Sequence, residues 1–194
     1  MTAIFAKAAR LALVTAAFGL GTTFASAQDG GDRLTIELED GPVVIELRPD
    51  LAPQHVERIK TLASDGAYDG VAFHRVIDGF MAQTGDVEFG KEGGDARLAG
   101  TGGSDLPNLP AEFTTQAKFE RGTVGMARAQ DPNSANSQFF IMFEPAPFLD
   151  GQYTIVGEVV EGMENVDKIK RGDGPNGSVV GEPDRMLDVT VGEG

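Results

Sequence analysis

The segment at positions 34–47, LTIELEDGPVVIEL, constrains the fold more than any other stretch of this chain. Apolar and polar residues alternate on both sides of Asp40-Gly41, and the apolar positions are Leu34, Ile36, Leu38, Val43, Ile45 and Leu47. Because successive side chains of a strand point to opposite faces, a period of two predicts two strands with one buried face each. An Asp-Gly pair between such runs is typical of a tight turn, so the segment predicts an antiparallel β-hairpin.

The hydrophobic pattern beyond the hairpin predicts two helices and several short strands. In the segment at 49–68, Val56, Ile59 and Leu62 share one helical face, and Gly66 is a plausible end. The segment at 162–172, GMENVDKIKRG, predicts a shorter helix through Met163, Val166 and Ile169. Short runs typical of strands lie at 71–77, 80–83, 122–127, 139–143, 153–160 and 186–191.

These elements indicate an all-β fold. The chain of 194 residues carries 26 glycines and 10 prolines, which favours many turns, and no repeat or composition shift marks a second domain. Many short strands with two helices favour a closed antiparallel barrel, because closure removes exposed strand edges. Two long loops rich in glycine, proline and small polar residues, at 90–113 and 128–138, are typical of functional or disordered segments.

The composition narrows the classes of partner and chemistry. The formal net charge is −14 at pH 7, and the sequence pI is near 4.4. Such a field repels phosphate backbones and anionic lipid surfaces, so we expect no nucleic-acid partner and no binding to a membrane surface. The chain has no cysteine, which excludes disulfides, thiolate catalysis and zinc–sulfur sites.

Residues 1–27 have the pattern of a secretory signal peptide. Lys7 and Arg10 give a positive start, an apolar stretch occupies 11–20, and small residues at 25–27 form a cleavage site before Gln28. The apolar stretch is too short for a comfortable transmembrane helix, and an uncleaved anchor is the alternative. We therefore expect cleavage, a flexible leader at 28–33 and a single domain at 34–194. We also expect export to the periplasm, with full secretion as the alternative, and no stable membrane insertion after cleavage.

The usual groups of acid–base and covalent catalysis are missing from the sequence. His55 and His74 are the two histidines, and no Gly-x-Ser-x-Gly motif occurs. The helix pattern predicts a solvated His55, whereas His74 is expected to be a structural, hydrogen-bonded residue on the strand face opposite Arg75. The carboxylates show no metal-ligand spacing, so we predict no metal and no cofactor. A glycosidase-like carboxylate pair stays open, because spacing alone does not exclude it.

The stretch at 73–86, FHRVIDGFMAQTGD, sets Arg75 among aromatic, thioether and amide side chains, where a solvated arginine is the ordinary interpretation. Further motifs follow in order: GTGG at 100–103, PAEF at 110–113, RGTVGMARA at 121–129, NSQFFI at 136–141 and FLDGQYTIVGEVVEGMENVDKI at 148–169. This ordered set resembles the cyclophilins, a family of peptidyl-prolyl cis–trans isomerases that binds cyclosporin, over about 34–191. It is most similar to the compact exported bacterial members. The resemblance implies a closed eight-stranded antiparallel β-barrel capped by two α-helices.

The resemblance also implies a role for each matching position. Arg75 matches the family's catalytic arginine. The positions implied to bind substrate form a pocket for the proline ring, the polar neighbours of the arginine and a groove for the preceding peptide residues: Phe80, Met81, Gln83, Ala127, Arg128, Ala129, Gln138, Phe140, Phe148, Leu149 and Tyr153.

Four positions depart from the family's pattern. Arg128 stands where an asparagine is frequent, and Tyr153 stands where a histidine is common. Phe148 replaces a tryptophan of eukaryotic members, which argues against tight cyclosporin binding. Thr84 occupies a position where glycine is usual, and the sequence gives no account of its effect.

The function that follows from the resemblance is isomerisation of X–Pro bonds in newly exported proteins. The expected partners are unfolded or peptide substrates that contain proline, and we expect a monomer. A proline-peptide binding module or chaperone with incidental isomerase activity is the alternative, and the matching Arg75 favours catalysis. An unrelated hydrolase on the same barrel is a third hypothesis, which predicts cleaved products.

Overall fold

The computed structural model describes residues 32–95 and 97–192, and the predicted signal peptide at 1–27 lies outside them. Residues 28–31 of the flexible leader predicted at 28–33 lie outside them too, and the first strand already begins at Arg33. Within these residues the chain forms eight strands and two helices, in the order β1 (Arg33–Leu38), β2 (Gly41–Leu47), α1 (Pro53–Ser64), β3 (Arg75–Ile77), β4 (Met81–Thr84), β5 (Thr123–Met126), β6 (Phe139–Met142), β7 (Ile155–Glu161), α2 (Met163–Val166) and β8 (Asp188–Gly192). Two short 3-10 turns lie at Pro147–Leu149 and Pro175–Gly177.

The hairpin predicted at Asp40-Gly41 is confirmed. Strands β1 and β2 are antiparallel, and Leu38 stands opposite Gly41 at the turn. The alternating apolar side chains of both strands are buried, so the pattern of period two marks the core face correctly.

All eight strands belong to one curled antiparallel sheet with the order β3-β4-β6-β5-β7-β2-β1-β8. The expectation of a closed barrel is wrong, because the edge strands β3 and β8 do not pair with each other. The chain that precedes β3 bonds instead to the irregular segment at 178–186: the Phe73 amide donates to Asp184, and the Met186 amide donates to Val71, both over 2.9 Å. Loop backbone therefore covers the edge that a continuous strand ladder would have closed.

Helix α1 begins at Pro53, whose fixed backbone angle suits the first turn of a helix. Its N-cap, Ala52, offers no capping side chain, and the carboxylate of Glu112 takes that place by accepting the amides of Gln54 and His55 over 3.2 and 3.1 Å. The prediction of a solvated His55 is wrong. Its side chain is fully buried, and its Nδ1 lies 2.6 Å from Oε2 of Glu112.

Helix α2 is one turn long and therefore shorter than the pattern through Ile169 predicts. Val166 and Ile169 are buried as expected, but the chain leaves the helix after Val166. No helix in the described part of the chain is long and apolar enough to span a bilayer.

Two apolar clusters occupy opposite faces of the central strands. The larger one lies on one side of the sheet, where Ala82, Phe139 and Ile141 join the alternating residues of β1 and β2. The smaller one lies on the other face of β4 and β6, and its buried members are Leu51, Met81, Phe119, Phe140, Met142, Ala146, Leu149 and Ile155. Because this second cluster has partly buried residues at its rim, including Phe80 and Tyr153, it opens toward the surface.

Candidate active site

Strand register builds the centre of the site. Arg75 on β3 stands opposite Gln83 on β4, and Gln83 stands opposite Phe140 on β6. Directly opposite residues of paired strands project to the same face, so the three side chains form one row across the sheet. Phe140 stands opposite Gly125 on β5, where a Cβ atom would lie 2.6 Å from the Phe140 ring. A glycine at this position therefore leaves space for the aromatic ring.

The guanidinium of Arg75 is held by neutral acceptors. Its Nε donates to the backbone oxygen of Asn176 over 2.9 Å, and NH1 donates to Oε1 of Gln83 over 3.1 Å and approaches Sδ of Met81 at 3.9 Å. Asn176 has a left-handed backbone with φ of 57°, in the 3-10 turn at Pro175–Gly177. Burial lowers the pKa of Arg75 from its ordinary value, yet guanidinium groups stay charged in proteins, so the site holds a permanent cation.

An apolar cavity of about 410 Å³ opens beside this cation. Its walls come from β3, β4, β6 and the loops around residues 127 and 150, and they comprise Arg75, Phe80, Met81, Gln83, Ala127, Arg128, Phe140, Phe148, Leu149, Gln152 and Tyr153. The ring of Tyr153 meets the ring of Phe140 edge-on, with centroids 5.9 Å apart, and Phe80 contacts Phe148 at 5.7 Å. The cavity therefore offers flat apolar walls next to a charged hydrogen-bond donor.

A second cavity of about 280 Å³ adjoins the first and shares Gln83, Ala127 and Arg128 with it. A larger share of its lining residues have polar side chains, and the lining comprises Gln83, Gly100, Thr101, Gly102, Ala127, Arg128, Ala129, Ser134, Asn136 and Gln138. The two cavities form one continuous groove, in which an extended peptide could place neighbouring side chains on either side of the shared wall.

All of the site residues implied by the sequence line this groove, with Ala129 and Gln138 in the polar cavity and the others in the apolar cavity or the shared wall. Their roles toward a substrate stay predictions. The groove is also lined by residues that were not predicted, namely Gln152, Ser134, Asn136 and the glycine loop at 100–102. The two long loops predicted to be functional or disordered contain all of these except Gln152, so loop length and composition were the available signal.

Arg128 ties two loops of the groove together. Its guanidinium lies 4.5 Å from the centroid of the Tyr153 ring, donates from NH1 to Ala129 over 2.9 Å and from NH2 to Gln152 over 3.0 Å. The positive charge over the ring face is a favourable cation–π contact. Arg128 and Tyr153, which both depart from the family's pattern, therefore contact each other.

The other two positions that depart from the family's pattern, Phe148 and Thr84, differ in burial. Phe148 is 65% exposed at the rim of the apolar cavity. Thr84 is fully buried, and its hydroxyl donates to the Ala72 carbonyl over 3.0 Å. The threonine therefore satisfies a backbone oxygen next to β3 and does not enter the groove.

His74 lies behind the groove. Its ring is buried, and neither ring nitrogen has a hydrogen-bond partner among the described residues, so the predicted hydrogen bond is absent there. Burial lowers the pKa of His74, and the nearby Asp86 carboxylate opposes that shift. In the described part of the chain, no group of three or more His, Cys, Asp or Glu side chains could hold a metal ion.

Comparison with known proteins identifies the class of protein to which this curled sheet and its arginine-lined cavity belong. The family model described as "Cyclophilin type peptidyl-prolyl cis-trans isomerase/CLD" matches residues 33–191. The chain therefore belongs to the cyclophilin-type peptidyl-prolyl cis–trans isomerases and is an isomerase enzyme.

Individual relatives support the same assignment. A probable peptidyl-prolyl cis–trans isomerase of Brucella suis is 56% identical over 190 residues, which cover 96% of each chain. A solved cyclophilin from Hirschia baltica matches with a TM-score of 0.68 and 27% identity, over 83% of this chain and 74% of that one. A cyclophilin-type isomerase of Cryptosporidium parvum, crystallised in the presence of the dipeptide Ala-Pro, matches with a TM-score of 0.70 and 26% identity, over 82% of this chain and 98% of that one.

Proposed function

We propose that this isomerase acts on X–Pro bonds of unfolded exported proteins, with Arg75 as its catalytic residue. The observation that carries this proposal is a permanent cation, held by neutral acceptors, at the edge of a cavity with aromatic and aliphatic side chains on several walls. The Cryptosporidium parvum structure, obtained in the presence of the dipeptide Ala-Pro, supports proline-containing peptides as the substrate class.

The chemistry of peptide bond rotation explains why this arrangement suffices. The barrier of about 18–20 kcal/mol arises from delocalisation of the nitrogen lone pair into the carbonyl group. At the twisted transition state the lone pair is localised on the prolyl nitrogen and can accept a hydrogen bond, which the planar ground state hardly permits. A donor that binds the twisted state more tightly than either planar state lowers the barrier, and each 1.36 kcal/mol of that preference gives about tenfold in rate.

The two cavities of the groove bind different parts of the peptide. In this proposal the apolar walls from Phe80, Met81, Phe140, Leu149 and Tyr153 receive the proline ring, and Phe148 extends them at the rim. Excluding water from that cavity strengthens the contact between the guanidinium and the prolyl nitrogen.

The polar half of the groove then serves the rest of the peptide. Gln83 and Gln138 bind the backbone near the reacting bond, while Ala127, Arg128 and Ala129 flank the chain that precedes the proline. Because Ala127 and Ala129 are small, they leave room for varied side chains at those positions.

The export role rests on residues 1–27, whose positive start, apolar stretch and small residues before Gln28 fit a cleaved signal peptide. In this proposal the cleaved protein is a periplasmic monomer. N-terminal sequencing of the protein from the periplasmic fraction should read from Gln28. Recovery of an intact N-terminus in the cytoplasm would contradict export and leave the isomerase activity untouched.

The test of the catalytic proposal is a rate measurement on proline peptides. The purified protein should accelerate cis–trans isomerisation of a tetrapeptide with an Ala-Pro bond, and Arg75→Ala should remove most of that acceleration while circular dichroism stays unchanged. Wild-type acceleration by Arg75→Ala would contradict the role of the arginine. Mass spectrometry of the same reactions should show intact peptide, since cleavage products would indicate a hydrolase.

A further inference from the structure

A buried carboxylate holds the loop behind the groove. Asp86 follows β4 by two residues and is fully buried. Its Oδ1 accepts the backbone amides of Glu88 and Phe89 over 3.1 and 2.9 Å, and its Oδ2 accepts those of Gly100 and Gly102 over 2.6 and 3.0 Å. The carboxylate therefore joins the chain after β4 to the glycine loop that lines the polar cavity.

The glycine loop in turn fixes the orientation of Gln138. The amide nitrogen of Gln138 donates to the carbonyls of Gly100 and Gly102 over 3.0 and 2.8 Å. Carbonyl groups only accept hydrogen bonds, so the nitrogen of this side chain must face the loop. The side-chain oxygen of Gln138 must consequently face the opposite way.

The side-chain amide of Gln83 connects Gln138 to Arg75. The oxygen of Gln138 accepts a hydrogen bond from Nε2 of Gln83 over 2.9 Å, and the oxygen of Gln83 accepts one from NH1 of Arg75 over 3.1 Å. Because a guanidinium only donates hydrogen bonds, the oxygen of Gln83 must face Arg75 and its nitrogen must face Gln138. A rotated Gln83 would turn its NH₂ group toward the guanidinium and lose this contact.

The loop can lie so close to the carboxylate because of its glycines. A Cβ atom at Gly102 would stand 2.6 Å from Oδ1 of Asp86, and one at Gly100, where φ is +95°, would stand 2.8 Å from the His74 ring. Both residues therefore need the absence of a side chain to bring their amides to Asp86 and their carbonyls to Gln138 at once.

We propose that Asp86 is a positioning residue for catalysis: through the glycine loop, Gln138 and Gln83, it sets the direction of the Arg75 guanidinium. The inference rests on the proposed role of Arg75. Asp86 itself is fully buried and does not line either cavity of the groove, so it has no contact with a peptide bound there. Its effect should therefore fall mainly on the rate of the bound complex, with a smaller effect on peptide binding through Gln83 and Gln138.

The test is Asp86→Asn, which keeps the size of the side chain but replaces one oxygen with an NH₂ group that faces backbone amides. We expect kcat to fall about tenfold with KM changed less than about twofold, and the side-chain amide signals of Gln83 and Gln138 to shift in NMR spectra. The matched control is Asp69→Asn, because Asp69 also accepts a backbone amide, that of Val189 over 3.0 Å, away from the groove. Its kcat should equal that of the wild type.

A double variant separates positioning from general stability. If Asp86 acts through Gln138, then Asp86→Asn should lower kcat no further in a Gln138→Met background, whereas independent effects would multiply. Multiplying effects, or a folded Asp86→Asn protein with wild-type kcat and unshifted amide signals, would overturn the proposal. A wild-type protein without isomerase activity would instead contradict the proposed function.

A second variant keeps the proposal testable if Asp86→Asn does not fold. Gln138→Met breaks the same chain of hydrogen bonds at a partly buried position while Asp86 stays intact. We expect a lower kcat together with a shifted Nε–H signal of Arg75. An unchanged Arg75 signal would show that the loop does not position the guanidinium and would overturn the inference.

Discussion

Two polar clusters of the molecule surround their charged group with different kinds of partner. The arginine cluster comprises Arg75, Met81, Gln83 and Asn176, and the helix-cap cluster comprises Gln54, His55, Glu112 and Thr154. In the helix-cap cluster, the Glu112 carboxylate accepts hydrogen bonds from Nδ1 of buried His55 and from two backbone amides of α1. The backbone amide of Glu112 donates to the hydroxyl of Thr154 over 3.0 Å. In the arginine cluster, neutral carbonyl, amide and sulfur atoms surround the cation.

The difference shows how a fold separates stability from catalysis. A charge whose hydrogen bonds are all used inside the protein stabilises the fold but has little left for a ligand. No carboxylate among the described residues forms an ion pair with Arg75, so its charge stays available to a bound peptide. The helix-cap cluster should therefore govern unfolding and the arginine cluster should govern rate.

The largest expected effect is that of Arg75→Lys. A lysine keeps the charge but loses the planar fork that reaches Asn176 and Gln83 together. We expect kcat/KM to fall about 100-fold, equivalent to about 2.7 kcal/mol, with little change in the free energy of unfolding. The peptide isomerisation assay and urea unfolding measure the two quantities.

The control for that prediction is Arg121→Lys. Arg121 forms an exposed fork with Asp167, at 2.9 and 2.6 Å. Exposed ion pairs contribute about 0–1 kcal/mol, so this variant should keep both its rate and most of its stability. An equal loss of rate in both lysine variants would refute the assignment of catalysis to the arginine cluster.

The reverse result is expected for Glu112→Ala. Removing the carboxylate leaves the amides of Gln54 and His55 and the buried imidazole without their acceptor. Unmet hydrogen bonds of this kind cost about 1–3 kcal/mol, so we expect the free energy of unfolding to fall by about 2 kcal/mol. The rate per folded molecule should stay at the wild-type value, and a parallel loss of rate would show that the two clusters are coupled.

The pH dependence of stability should come from the two buried histidines. Burial lowers the pKa of His55, with Glu112 opposing, and burial also lowers the pKa of His74. A histidine with a lowered pKa is neutral in the folded state while the unfolded chain binds a proton below about pH 6.5. The contribution of these histidines to the free energy of unfolding is therefore fully present above about pH 6.5. It is lost as the pH falls from there toward their folded-state pKa values.

Urea unfolding between pH 7.5 and 5 measures this loss, with a slope of at most about 1.4 kcal/mol per pH unit for each histidine. His55→Gln should flatten the curve, although the variant itself is less stable at pH 7.5. A curve that rises toward pH 5 would show that a histidine gains a proton favourably in the folded state.

The smallest expected effect is that of Arg128→Ala. The variant loses the cation over the Tyr153 ring and the bonds that join two loops of the groove. We expect a roughly threefold lower kcat/KM, because cation–π contacts at exposed sites are worth about 0.5–1 kcal/mol. Arg97→Ala, at an exposed local pair with Asp95, is the matched control and should leave the rate unchanged.

Local signals in the sequence predicted much of the fold. The hairpin at Asp40-Gly41 could be identified because its turn and both strands lie within fourteen neighbouring positions, 34–47. The face of α1 could be identified for the same reason. The burial of His55 could not, because the partner that makes it favourable, Glu112, lies 57 residues away in the sequence.

The candidate site shows the same division. The order of motifs placed Arg75, Gln83 and Gln138 in one family site, but no pattern indicated that Asn176 would accept a hydrogen bond from Arg75 across 101 positions. Nor did it indicate that the sheet would stay open, with the segment at 178–186 covering its edge.

The sequence by itself determined the family, most of the strand and helix pattern and many of the groove residues, since periodicity and ordered motifs are properties of neighbouring positions. Tertiary structure alone decided which groups meet across the chain: the carboxylate with the helix it caps, and the guanidinium with the backbone oxygen and amide chain that aim it. The physical reason is that hydrogen bonds and burial act over a few ångströms in space, and only folding brings residues distant in the sequence to that separation.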